Sequence, residues 1–385
     1  MYIMKRISYN DYKSLKAIQM IKTIFFLFIL FFIGNAKDSS LVLNPNKANI
    51  LVLHSWHDIL WDRLWGKGIN NVLGEKYNLI RYDFDAMRQS EKELKRRAVY
   101  AWELAEKYHA VGIVFGDDQA LKYAGPLFQG TKYPGVYLGV NFSPRKYLDY
   151  TKADNITGVL ERPLYKTAIK KLFKIFSQRP KKVLFISDSP LGKEDITDVA
   201  KLFSKSKSTT IFKTKIDFKV ANTWEKWQET ILSANENGYD FIMVASRYVL
   251  RDKNGTYIEP EKHLLKWMTQ NSEIPVFGFY EDGVSPEFHV GGWILNGIRH
   301  GEEAGKMMLS ILQDGVHPSE INPLFYNYGE YIFSRTLLKK YKLELPKDIK
   351  ESVEYIEDRH DLYDFEKYSF DRGDKEWTPS IIYDN

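Results

Sequence analysis

Short apolar runs that stop abruptly at polar residues recur along this chain from Asn49 onward, and each is followed by a stretch with helical spacing. In the first half the runs are NILVLHS (Asn49–Ser55), YNLIRYDF (Tyr77–Phe84), AVGIVFG (Ala110–Gly116) and GVYLGVN (Gly135–Asn141). Helical spacing covers Trp61–Leu73, Glu91–Tyr108 and Gln119–Phe128 between them. Apolar runs bounded by Gly, Asp and Asn and spaced by helices are parallel βαβ units, whose strands are covered on both faces.

The pattern pauses at KADNITGVLERP (Lys152–Pro163) and restarts with a helix over Leu164–Phe176, for which Pro163 suits the first turn. KVLFISDS (Lys182–Ser189), a weaker strand near Thr209–Phe218, a helix at Thr223–Asn235, DFIMVAS (Asp240–Ser246), a helix at Pro260–Gln270 and IPVFGFY (Ile274–Tyr280) follow. An amphipathic helix then spans Asn296–Leu312 and ends at Asp314-Gly315, and Asn322–Ser334 reads as strand-like. The expected architecture is α/β, with two units of similar size. Two domains also suit 385 residues. Residues 347–385, with 12 acidic against 6 basic side chains, form a tail expected to lie on the body.

In parallel α/β sheets ligands bind beyond the carboxyl ends of the strands, so the residues that follow each run are the candidates for a site. In the first half these are Ser55, Trp56, His57, Asp117 with Asp118, and Asn141. In the second they are Ser187, Asp188, Ser246, Arg247, Tyr280 and Glu281. Two such rims facing one another would enclose a small polar ligand, with Trp56 and Trp61 as stacking surfaces. Trp61 equally suits the core stripe of its helix, and Trp65 is read as core. A guanidinium at Arg247 can hold a carboxylate through two parallel hydrogen bonds, or can pair with a nearby acid. Asp117 and Asp188 suit a ligand amine, or capping of the next helix. Because adjacent side chains diverge on a strand or helix, Asp117 and Asp118 are not expected to cooperate.

Other chemistries lack their residues. There is no cysteine, which excludes disulfides and thiolate catalysis. His54-x-x-His57-Asp58 lacks an evident third zinc ligand, and His54 is read as a hydrogen-bonded core histidine. No nucleophile elbow and no phosphate-binding loop are present. No cofactor is expected, and a binding protein is preferred over the alternative of a secreted hydrolase or metal-dependent enzyme on the same scaffold. At the N-terminus, ten apolar residues (Ile24–Ile33) follow Lys22 and precede Gly34-Asn35-Ala36, the form of a signal peptide cleaved after Ala36 and leading to the periplasm. That leader carries +4 of the net +5, leaving +1, so no nucleic-acid partner is expected.

Taken together, ILVLHSWHDILWDRLWGKGI (Ile50–Ile69), YLGVNFSP with NITGVLE, PVFGFYEDGVSPEFHVGGWILNGIRHGEEAGKMMLSIL and YIFSRTLLKKYKLELP resemble the ABC-transporter substrate-binding-protein-like family. That family includes tryptophan- and tyrosine-binding lipoproteins and extracellular sensor domains of histidine kinases. The resemblance implies a type 1 periplasmic binding protein: two Rossmann-like lobes with parallel sheets joined by a three-crossing hinge. The crossings would fall near Asn155–Leu160, Phe288–Gly292 and Val316–Pro323. The lobes would comprise 48–156 with 291–318, and 157–290 with 319–346. It further implies capture of a small molecule and presentation of the closed form to a permease or sensor kinase; the aromatics at the rims, with Arg247, suggest an amino acid or other carboxylate with an apolar body. Trp56 stands where the family usually has Tyr, and the family lipoproteins' acylated cysteine is absent.

Overall fold

The computed structural model describes residues 41–57, 59–151, 154–162, 165–189, 207–326, 329–359 and 380–381. The leader, Asp58 and Pro163 lie outside them. No helix among the described residues is long and apolar enough to cross a membrane.

The first lobe builds up as β1 (Ala48–His54), α1 (Leu60–Leu73), β2 (Tyr77–Asp83), α2 (Glu91–Lys107), β3 (Ala110–Gly116), α3 (Asp117–Phe128), β4 (Gly135–Val140) and β5 (Ile156–Glu161). The second follows with α4 (Tyr165–Leu172), β6 (Lys182–Ser187), β7 (Ser208–Ile211), β8 (Thr214–Val220), α5 (Trp224–Leu232), β9 (Phe241–Val244), α6 (Lys266–Asn271) and β10 (Val276–Phe277). Beyond them come β11 (Gly291–Ile294), α7 (Gly297–Gln313), β12 (Leu324–Tyr326), β13 (Glu330–Phe333), α8 (Arg335–Lys340) and β14 (Glu354–Tyr355). A last strand, β15 (Ser380–Ile381), pairs antiparallel with β2.

The expected βαβ units are present, and the two sheets repeat one plan. The first runs β12-β5-β4-β3-β1-β2-β15, all parallel except β15. The second runs β10-β9-β6-β8-β7, with only β7 antiparallel. A small third sheet, β11-β13-β14, lies against the second lobe's core through Val290, Tyr331 and Phe333.

Three segments differ from the sequence reading. Thr209–Phe218 is a hairpin rather than one strand: Phe212 and Lys213 both take positive φ (51° and 68°), the geometry of a two-residue turn that matches strand twist. The usual Asn-Gly signal is missing, so the turn was hidden. Asn322–Ser334 divides into β12, in the first sheet, and β13, in the third. NITGVLE is a full strand of the first sheet, paired with β4. The passages between lobes therefore fall after Glu161, between Ile294 and Gly297, and between Tyr326 and Glu330. Each lies a few residues beyond its expected place: the pairing of β5 and β12 holds the chain in the first sheet longer at the first and third, and the pairing of β11 with β13 delays the second.

Helix α7 belongs to the first lobe, where its apolar face joins α1, β1 and β3 in one core with Trp65, Ile69, Val114, Ala304 and Met308. Glycines set the approach of the two helices. A Cβ on Gly68 would lie 1.9 Å from the Ile298 carbonyl oxygen, and one on Gly301 would lie 1.9 Å from that of Trp65. Both contacts are with backbone, which cannot step aside. Gly301→Ala is therefore expected to cost about 1–3 kcal/mol, read as a lower urea midpoint with an unchanged slope. An unaltered midpoint would show that the helices do not meet this closely.

Candidate functional site

In each sheet the strand order reverses beside its first strand, between β1 and β3 and between β6 and β9. Such switch points open a crevice beyond the carboxyl ends of the strands. Trp56 and Asp117 flank the first crevice; Asp188 and Ser246 flank the second. The two rims face each other. Trp61 of the first lobe meets Tyr280 of the second edge to face, with ring centroids 5.5 Å apart. Arg251 and Tyr257, beyond β9, reach the backbone oxygen and sulfur of Met87, beyond β2.

Acid groups crowd this seam. Trp56 donates its indole N–H to Asp117 at 2.9 Å. Asp117 accepts the Asp118 amide at 2.6 Å, and Asp118 accepts the amides of Asn141 (2.9 Å) and Phe142 (3.3 Å) and the Tyr147 hydroxyl (3.1 Å). Glu161, at the end of β5, is 3 % exposed, and its Oε2 has no hydrogen-bond partner among the described residues. Tyr280 and Asn141 each offer Glu161 a hydrogen bond. Burial, then the neighbouring Asp117, pushes the Glu161 carboxyl well above the usual carboxylate range. Burial and Asp118 do the same to Asp117, and burial raises Asp118. Arg162 is close enough to moderate Asp118, but donates to the carbonyls of Val140, Glu161 and Phe142.

The adjacent aspartates thus do share one environment, against the sequence reading. Asp117 takes a left-handed backbone (φ 72°) at the strand-to-helix elbow, which suspends the divergence rule that holds inside regular elements. Glu161 was missed because its strand was read as a pause.

Arg247 is 1 % exposed and forms an ion pair with Asp282, itself fully buried, at 2.7 Å. Asp282 also accepts the Tyr248 hydroxyl at 2.6 Å. This is the alternative that the sequence left open, and it commits the guanidinium to its own lobe. Asp188 accepts the Val249 amide at 2.7 Å, holding the loop after β9, while the Ser246 carbonyl accepts the Asp188 amide.

Other candidates serve the framework. Ser55 is fully buried, donating to the Gly116 carbonyl (2.7 Å) and accepting the Ala120 amide (2.8 Å). Ser187 is also fully buried. His57 lies 2.6 Å from Asp83, beside Arg81. Glu281 accepts the Gly297 amide at the start of α7 (3.1 Å) and pairs with Arg359. His54 stacks on Trp65 and lies 3.2 Å from Asp62, whose carboxyl burial pushes up to about 8. Burial also lowers His54, so the pair is held as neutral acid and neutral imidazole.

No protein-family model and no curated protein match the chain by sequence. Solved structures do match. The ABC domain in complex with L-Trp from Streptococcus pneumoniae aligns with a TM-score of 0.55 at 13% identity, covering 80% of this chain and 99% of that one. A conserved domain protein from Vibrio cholerae gives 0.56 at 12%, with the same coverage. A ligand-free, open substrate binding protein with adhesive properties from Clostridium difficile gives 0.56 at 15%, again covering 80% and 99%. The fold is that of a type 1 periplasmic binding protein. In this binding-protein fold the seam residues Trp56, Trp61, Asp117, Asn141 and Tyr280 come together, joined by Asp118 and Glu161.

Two outcomes follow from this geometry. Arg247→Ala leaves Asp282 buried without its countercharge, so it is expected to destabilise the protein by about 3–5 kcal/mol. A melting temperature equal to wild type would contradict the buried pair. The raised Asp62 carboxyl favours the protonated, folded state. Its stabilisation is full below the unfolded value and is lost as pH rises through about 8. Asp62→Asn should therefore lose less stability than wild type between about pH 5 and about pH 8. Parallel pH profiles would refute the assignment.

Proposed function

We propose that the chain is a periplasmic solute-binding protein, exported by the leader of residues 1–36, that captures a small organic molecule between its lobes. The ligand we infer carries a protonated amine on an apolar body, amino acids included. One observation carries this reading: Asp117, Asp118 and Glu161 are buried together at the seam, with raised carboxyls and an unpartnered Glu161 oxygen. An ammonium group would neutralise them, and Trp56, Trp61 and Tyr280 supply apolar surface beside it. A ligand that is only a carboxylate suits this rim less well, because Arg247 is held by Asp282. The similar structure holding L-Trp is consistent with this chemistry.

Closure follows from the placement of the groups. The carboxyls belong to the first lobe and Tyr280 to the second, so a ligand touches both only when the lobes meet. Its differential affinity then shifts the population toward the closed form. That form would be read by a membrane partner, an ABC permease or a sensor kinase. No catalytic step is assigned.

A thermal-shift screen of amines, amino acids, carboxylates and sugars tests the ligand class. Amines are expected to raise the melting temperature, with affinity about tenfold weaker in Glu161→Gln. Stabilisation by simple carboxylates or sugars alone would overturn the class. Because the raised carboxyls must ionise to hold an ammonium, affinity should tighten as pH rises above the ordinary carboxylate range, with protons released on binding. Calorimetry that finds affinity independent of pH would contradict it.

A further inference from the structure

A cavity of about 620 Å³ lies on the flank of the first sheet, beside the seam, with Arg162 on their shared border. Strands β4, β5 and β12 and the segments 143–150 and 318–323 wall it, with no α-helix among its lining residues. Its floor follows from sheet register. Tyr137 pairs with Gly158, and Leu160 with Phe325, so these residues share one face. A Cβ on Gly158 would lie 2.5 Å from the Tyr137 ring, so glycine there lets the ring lie flat across the strand. Phe325 stays 57 % exposed at the open side.

Two phenols and two guanidiniums are among the polar groups on this wall. Tyr137 is fully buried, and its hydroxyl and that of Tyr150 share one hydrogen bond, which leaves the pair one phenol hydrogen with no other partner among the described residues. Leaving a buried hydroxyl unsatisfied is unfavourable, and native cores seldom tolerate it. Two guanidiniums border the same space. Arg145 is exposed and lies 5.7 Å from the Tyr150 ring centroid, and Arg162 lies 5.9 Å from that of Phe325. Asp154 is the one carboxylate among the lining residues. Aromatic floor, phenol donors and a cationic border are the complement of a flat acid, and the volume falls within the ~300–1,000 Å³ of small-molecule sites.

We propose that this cavity is a second binding site, distinct from the seam, for a small organic anion with a flat apolar body. Strands β5 and β12 lead directly into two of the passages between lobes.

Titration of the full chain with benzoate, the neutral amide benzamide and inorganic phosphate, followed by ligand-observed NMR, tests the proposal. Benzoate is expected to bind saturably, with benzamide and phosphate each at least about fivefold weaker. Arg145→Ala and Tyr137→Phe should each weaken benzoate about fivefold, while Trp56→Ala at the seam leaves it unchanged. Both cavity variants should keep the wild-type melting temperature, since one side chain is exposed and the other loses only its hydroxyl. Absence of saturable benzoate binding, equal binding of benzamide, or loss in Trp56→Ala with the cavity variants unaffected would each overturn the proposal.

Discussion

Carboxyl groups resist being buried side by side, and this fold buries three of them where its first sheet ends. Desolvation disfavours each charge, and each neighbour disfavours it again. Asp117, Asp118 and Glu161 answer this by holding their protons more tightly. The hydrogen bonds that hold Asp118 come from backbone amides of the loop after β4. The rim is thus a rigid acidic surface, built before any ligand arrives. Rigidity of this kind favours affinity, because less ordering remains to be done on binding.

The rest of the architecture serves to carry that rim against its counterpart. Glycine contacts bring α7 onto α1, so the chain that leaves the second lobe through β11 is anchored firmly in the first. Glu281 ties the same junction, accepting the first amide of α7 while held by Arg359 from the C-terminal segment. In the second lobe the Arg247–Asp282 pair and the Asp188–Val249 bond fix the loops that face the acids. These polar groups look alike in sequence, yet one set is committed to the lobe's own structure and the other is turned to the seam.

The fold class was legible because its signal is redundant. Each βαβ unit repeats the same pattern of apolar run and helix, so an error at one strand leaves the plan intact. The candidate site was only partly legible. Strand ends pointed to Trp56, Asp117, Asn141 and Tyr280, since polar residues there have few structural duties. Ser55 fails the same rule because its hydroxyl bridges Gly116 and Ala120, a long-range bond that no local pattern reveals. Arg247 was ambiguous for a similar reason: its partner, Asp282, lies in another loop. Glu161 could have been found, for ITGVLE is a short, largely apolar run that ends at an acid, like the other strands of the sheet. The left-handed turn at Asp117, which turns two adjacent aspartates into neighbours at one seam, has no glycine or asparagine to announce it.

Small-angle X-ray scattering of the chain, stripped of solute and then saturated with the amine that stabilises it most, measures clamping directly. A smaller radius of gyration with ligand, and no such change in Glu161→Gln at the same concentration, is the predicted result. Identical scattering curves with and without a bound amine would contradict the view that the two rims close on a shared guest.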